Sequence, residues 1–301
     1  MPLTRRRVVP VLVLTLMCLA LLATPRLGAE RPYRAPEPLP SLPPGANVLL
    51  AVGDVGTCSD TNDEAVAQLA AQLPGSIALL GDVVYPDGGL ADYKQCFDPA
   101  WHLLLPRIHP AQGNHDFEAA DASGYYDYFG AAAGPPGEGW YSYDVGSWHV
   151  IVLNSDCQRV GGCGDGSPQL TWLQADLSAH PAVCTLAYWH HPRYSSGQHG
   201  NDPRTEALWQ ALASAGADVV LSGHDHDYER LAPVNGIRSF VVGTGGHSLI
   251  PFSGKPDKQT ELRTDDSYGL LALQLDPGSF RWQFVPIPGD ELDDRGQAAC
   301  H

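Results

Sequence analysis

Basic residues are scarce in this chain: 18 Lys and Arg stand against 34 Asp and Glu, for a formal net charge of −16. That balance excludes a protein that coats nucleic acid, which needs a basic footprint. Cys-x-x-Cys pairs are absent, so the seven cysteines do not read as thiolate zinc sites. No apolar run reaches the ~20 residues of a bilayer-crossing helix; Val8 to Ala23 comes nearest. Repeats and heptads are missing too, and a composition 44% hydrophobic and 17% charged excludes a disordered polymer. What is abundant is turn material, 32 glycines and 26 prolines, which implies long loops able to display site residues.

The N-terminus reads as a targeting segment. Arg5, Arg6 and Arg7 precede the short apolar run, and Leu27-Gly28-Ala29 offers small residues for cleavage before Glu30. Residues 1–29 are therefore expected to be a signal peptide, with an uncleaved anchor as the competing reading. Thr4-Arg5-Arg6-Arg7 also permits twin-arginine export. Cleavage removes four arginines and no acidic residue, taking the formal charge from −16 to −20. An anionic substrate in so acidic a chain needs a cationic site, and bound metal supplies one. The cysteines agree with an exported, extracellular or cell-envelope location. Without Cys18 an even set remains, Cys58, Cys96, Cys157, Cys163, Cys184 and Cys300. Sequence alone does not choose among their pairings; Cys157–Cys163 closes a short Gly-rich loop, and Cys58–Cys96 and Cys184–Cys300 complete the expected set.

Residues 30–46 carry six prolines and form a Pro-rich leader. Residues 47–290 read as one catalytic domain, and 291–301 as a C-terminal tail. Short apolar runs at Asn47–Val52, Ile77–Leu80, Ile108–Gln112, Trp148–Leu153, Thr185–Trp189 and Asp218–Leu221 predict strands. Helical spacing predicts helices at Asp63–Leu73, Gln169–Leu177 and Glu206–Ala215. Gly236–Val242 and Leu270–Phe284 add strands and hairpins, with a turn at Asp276-Pro277-Gly278. Alternating strands and helices followed by more strands give a layered α/β protein with mixed sheets.

Polar residues recur where these strands run out: Asp54, Asp82, Asn114, His190 and His224. Ligands of open α/β sheets gather beyond strand carboxyl ends. Singly, each Gly-Asp or His-x-His is more simply a turn or a structural pair. Together they form a set of Asp, Asp, Asn and three histidines (His190, His224, His226), with Tyr85 three residues after Asp82. Imidazole and carboxylate donors without thiolate suit Zn, Fe or Mn, and one carboxylate can bridge two cations. Glycines beside the ligands, Gly53, Gly81, Gly113 and Gly223, allow sharp turns and close approach.

The series Asp54, Gly81-Asp82-Val83-Val84-Tyr85, Gly113-Asn114-His115-Asp116, His190 and Gly223-His224-Asp225-His226 resembles the calcineurin-like metallophosphoesterases over residues 47–287. Gly56, in place of the histidine of an Asp-x-His motif, and Tyr85, in place of an aspartate, resemble their purple acid phosphatase branch. The resemblance implies a four-layer α/β/β/α sandwich of two mixed β-sheets flanked by helices. It implies two metal ions, Fe(III) with Zn, Mn or Fe(II). Asp54, Asp82, Tyr85 and His226 would hold the first; Asp82 as bridge, Asn114, His190 and His224 the second. His115 would then bind phosphate and His199 act as general acid while hydroxide generated on the metals attacks phosphorus. The substrate would be a small phosphorylated molecule, most simply a phosphomonoester; a diester or nucleotide fits the same metals. A non-catalytic metal-binding surface protein is the reading from another class.

Lesser features carry less. The aromatic stretch 117–143 reads first as packing, with a substrate-rim loop as the alternative. Arg193 fits either a phosphate contact or a surface ion pair, and His247 either the pocket or a turn. His102, His109, His149 and His180 read as structural or solvated.

Overall fold

A computed structural model describes residues 47–59 and 61–301. The expected signal peptide and Pro-rich leader lie outside the described residues. Strands run in chain order as β1 (Val48–Val52), β2 (Ser76–Leu80), β3 (Ile108–Ala111), β4 (Tyr141–Val145), β5 (Trp148–Val152), β6 (Cys184–Tyr188) and β7 (Val219–Ser222). β8 (Tyr228–Leu231), β9 (Arg238–Val242), β10 (Thr260–Thr264), β11 (Gly269–Asp276), β12 (Ser279–Pro286) and β13 (Arg295–Ala299) follow. They form two mixed sheets, ordered β13-β12-β11-β1-β2-β3 and β10-β8-β9-β7-β6-β5-β4.

The layers follow from period-two alternation. Leu49 and Ala51 of β1 face Trp148, Val150, Leu186 and Leu221 between the sheets. Leu50 and Val52 face outward, where the helix Asn62–Gln72 covers them with Val66, Leu69 and Ala70. On the second sheet Ile151, Ala187 and Val220 face outward under Leu170 and Leu173 of the helix Pro168–Ala179 and Leu208 and Leu212 of the helix Glu206–Ser214. β1 is buried on both faces, as a central strand between two covering layers requires. Ser167 starts the helix Pro168–Ala179 by accepting from Leu170 N–H, with Pro168 preset for the first turn.

The parallel strands β1, β2, β3 and β5, β6, β7 deliver their carboxyl ends to one edge, where Gly53 N–H donates to Val242 O at 2.9 Å and joins the two sheets. Among the described residues, Cys58–Cys96, Cys157–Cys163 and Cys184–Cys300 are disulfide-bonded. Residues 291–301 are not a tail apart from the domain. β13 pairs with β12, and buried Asp294 accepts from Tyr228 and Arg230. No helix among the described residues is long and apolar enough to cross a membrane.

Candidate metal centre

The turns after β1, β2 and β7 place Asp54, Asp82 and His224 in left-handed backbone, at φ of 59°, 46° and 71°. Such conformations cost a non-glycine residue about 1–3 kcal/mol each and persist where the surroundings over-determine them. Asp54 and Asp82 are buried. Tyr85 Oη lies 3.0 Å from Asp54 Oδ1, 3.1 Å from Asp82 Oδ2 and 3.2 Å from His226 Nε2. His190 Nε2 is 3.2 Å from Asp82 Oδ2, and His224 Nδ1 lies 3.2 Å from that same Nε2. His115 N–H donates to Asp82 Oδ1 at 2.9 Å, which brings Asn114, one residue earlier, to the same carboxylate.

The tautomers point inward. His190 Nδ1–H donates to Leu80 O at 2.9 Å and His226 Nδ1–H to Ser248 O at 2.9 Å, so each turns Nε2 toward the carboxylates. Asn114 Oδ1 is buried with no hydrogen-bond partner, which normally demands a cation or donor. Space is reserved by glycine: a Cβ on Gly113 would sit 2.2 Å from Asp82 Oδ1, and one on Gly223 2.6 Å from Asp54 Oδ2. The donor set and the orphaned amide oxygen fit divalent or trivalent metal.

Electrostatics agree. Burial works to raise the Asp82 carboxyl, but His190 and the His115 N–H hold it well below the carboxylate range. Burial opposes charge on His190, yet Asp82 and Asp54 beside it raise its pKa to about 10. Burial and then the charges of Asp54 and Asp82 push the Tyr85 phenol well above its ordinary value. A cluster that must borrow a proton to balance its carboxylates is one that a cation can occupy by displacing it.

Both expected catalytic histidines line this centre. His115 Nδ1–H donates to Pro86 O at 2.7 Å, and its ring lies 4.5 Å from that of Tyr85. His199 lies 4.2 Å, ring to ring, from His224, with its side chain 42% exposed. Asp225 Oδ1 accepts from both the backbone N–H and Nδ1–H of His199, at 2.7 and 3.0 Å. Sequence reading overlooked Asp225, although it is the x of the His-x-His run. It also overlooked Asp116, which accepts from Gly113 and Val83 N–H and from Tyr93 Oη and so fixes the Asn114 turn. His247 belongs to the pocket: its ring lies 4.0 Å from that of Tyr85, tilted by 36°. Arg193 does not; it pairs with Glu206 and lies over Tyr194. The aromatic stretch packs, with Phe117, Tyr125, Phe129 and Trp140 buried.

The pattern of the calcineurin-like phosphoesterases matches residues 48–228. Purple acid phosphatase 15 of Arabidopsis thaliana is 28% identical over 303 residues, covering 83% of this chain and 56% of its own. The chain spans about half the length of the plant relatives it matches. Purple acid phosphatase PPD1 from yellow lupin (Lupinus luteus) seeds superposes at TM-score 0.70 and 17% identity, covering 84% of this chain and 53% of that one. GAP50, the anchor in the inner membrane complex of Plasmodium, superposes at TM-score 0.66 and 17% identity, covering 84% and 89%. This chain belongs to the calcineurin-like phosphoesterase family, in its purple acid phosphatase-like branch.

Proposed function

We propose that the chain is an exported two-metal phosphoesterase that hydrolyses phosphomonoesters. The observation that carries this is the Tyr85 hydroxyl within 3.2 Å of Asp54, Asp82 and His226. Asp54, Asp82, Tyr85 and His226 would hold one metal, and Asp82, Asn114, His190 and His224 the other; such cations, when bound, would supply charge to neutralise phosphoryl oxygens and to lower the pKa of a water. The chain's own groups do the rest. His115, fixed through Nδ1, presents Nε2 to a phosphoryl oxygen. His199, anchored twice on Asp225, presents Nε2 to the leaving oxygen and delivers its proton. Three disulfides suit an oxidising compartment and support export.

GAP50, an anchor, shares the fold, so fold alone does not establish turnover. The deciding experiment loads the metal-free chain with iron, zinc or manganese and compares a phosphomonoester with a phosphodiester from about pH 4 to about pH 9. Monoester hydrolysis well above diester hydrolysis is expected. A faster diester reaction would move the assignment to a phosphodiesterase, and no reaction by fully metallated protein would leave a metal-binding surface protein.

Two further outcomes follow from the assigned roles. Fe(III) bound by the Tyr85 phenolate gives a visible charge-transfer band that Tyr85→Phe removes while iron stays bound; an unchanged band would exclude Tyr85 as ligand. His199→Ala lowers kcat about 10²-fold for an alkyl phosphate but far less for p-nitrophenyl phosphate, whose leaving group needs no proton. Equal losses on both substrates would remove His199 from the acid role.

A further inference from the structure

Four titratable side chains gather outside this centre, on the outer face of the second sheet. His149 of β5 is 3% exposed; its Nε2 lies 2.8 Å from Asp176 Oδ2 and its Nδ1 3.1 Å from Asp144 Oδ1. His180, just past the end of the helix Pro168–Ala179, hydrogen-bonds the Asp176 backbone O through Nδ1 at 3.0 Å, lies 3.2 Å from Asp176 Oδ1 and stacks on His149 at 4.8 Å, leaving Nε2, among the described residues, as its free nitrogen. Among the described residues neither carboxylate pairs with a lysine or arginine. Two carboxylates whose ion-pairing partners are imidazoles alone leave the cluster anionic unless a proton or a cation joins it.

We propose that His149, Asp176 and His180 form a further metal site, for a zinc-class divalent ion. One donor atom from each lies within 4.8 Å of the others. Ligands about 2.0–2.2 Å from one ion sit somewhat closer, and His180, half exposed at a helix end, can make that adjustment. Two nitrogens and a carboxylate without thiolate select Zn²⁺, with Co²⁺ and Ni²⁺ as analogues, over the all-oxygen preference of Ca²⁺ and Mg²⁺.

The surroundings are those of a metal ligand set. Asp144 on Nδ1 of His149 fixes the tautomer that turns the Nε2 lone pair toward Asp176. Ser142 Oγ donates to Asp176 Oδ1 at 2.8 Å and sets that carboxylate's orientation. His180 also lines a cavity of ≈ 750 Å³ between the helices Pro168–Ala179 and Glu206–Ser214, which gives an entry path. The site is separate from the phosphoesterase centre. His149 is in register with Thr185, whereas His190 lies five residues further along β6 and beyond, about 17 Å at the rise of a strand. An ion there fastens the end of the outer helix to β5, a structural role.

The test titrates Zn²⁺ into the metal-free full chain and counts tightly bound ions. Wild type is expected to bind one more Zn²⁺ per chain than His180→Ala, with phosphomonoester hydrolysis unchanged. His180→Gln, which keeps a hydrogen-bond donor to Asp176 but no imidazole, gives the same loss of one ion. Asp144→Asn keeps the count and loosens one ion about tenfold or more. Equal counts in wild type and both His180 variants would overturn the site and leave a proton-bridged hydrogen-bond network. Because the readout is a difference between proteins, failure of the phosphoesterase assignment does not alter it.

Discussion

Asp82→Asn is expected to lower kcat/KM at least about 10³-fold and to reduce bound metal by at least one ion per chain. Asp82 contacts both halves of the centre through its side chain: Tyr85 on one side, His190 and the His115 N–H on the other. Asparagine offers one neutral oxygen where the carboxylate offers two anionic ones, so it cannot serve both cations. Its amide N–H₂ would also face the Tyr85 hydroxyl or His190.

Stability separates this from simple unfolding. The Asp82 carboxyl is held below its ordinary range, so its contribution is present above about pH 4 and is lost as the solution is acidified toward its folded value. Breaking so buried a pair costs about 3–5 kcal/mol in the metal-free chain, enough to detect yet within what a folded domain tolerates. Metal content by elemental analysis, kcat/KM and a melting curve on one preparation decide the matter. A folded Asp82→Asn protein with full metal content and wild-type turnover would refute the bridging role.

Asp54, Asp82, Asn114, His190 and His224 were legible in sequence because each follows an apolar run, whereas Tyr85 and His226 were expected from their spacing to Asp82 and His224 and from the family resemblance. β1 and β6 are buried throughout and β2 from Ile77 onward, and Asp54, Asp82 and His190 stand two residues beyond them. What was not legible lacks that contrast. Asp225 and Asp116 are carboxylates in turns, and only the fold reveals that one anchors His199 and the other the Asn114 turn. β10 is half exposed, and β4 lies in the aromatic stretch read as a loop. Residues 90–107 mix α, π and 3₁₀ turns, so no single helical period marks them. β13 alternates exposed and intermediate residues with no apolar run, so it looked like a tail; partners distant in sequence give it structure.

That last element sets the second large effect. Cys184→Ser combined with Cys300→Ser is expected to destabilise the chain by about 5 kcal/mol, against about 2 kcal/mol for Cys157→Ser with Cys163→Ser, on the chain-entropy account of disulfides. The difference comes from loop length: the two bonds close separations of 116 and 6 residues. Native contacts partly offset the loss at the chain end. Asp294 still accepts from Tyr228 and Arg230, and His301 still reaches Asp218. Fraying is therefore expected to begin within Arg295–Ala299, exposing the Trp282 ring on which Gly296 packs closely. Denaturant unfolding of the two double variants, with Trp fluorescence as one probe and far-ultraviolet dichroism as another, measures both the ranking and the fraying. A larger loss from the short loop, or equal losses from both, would mean that native strain or denatured-state structure, rather than loop closure, governs these bonds.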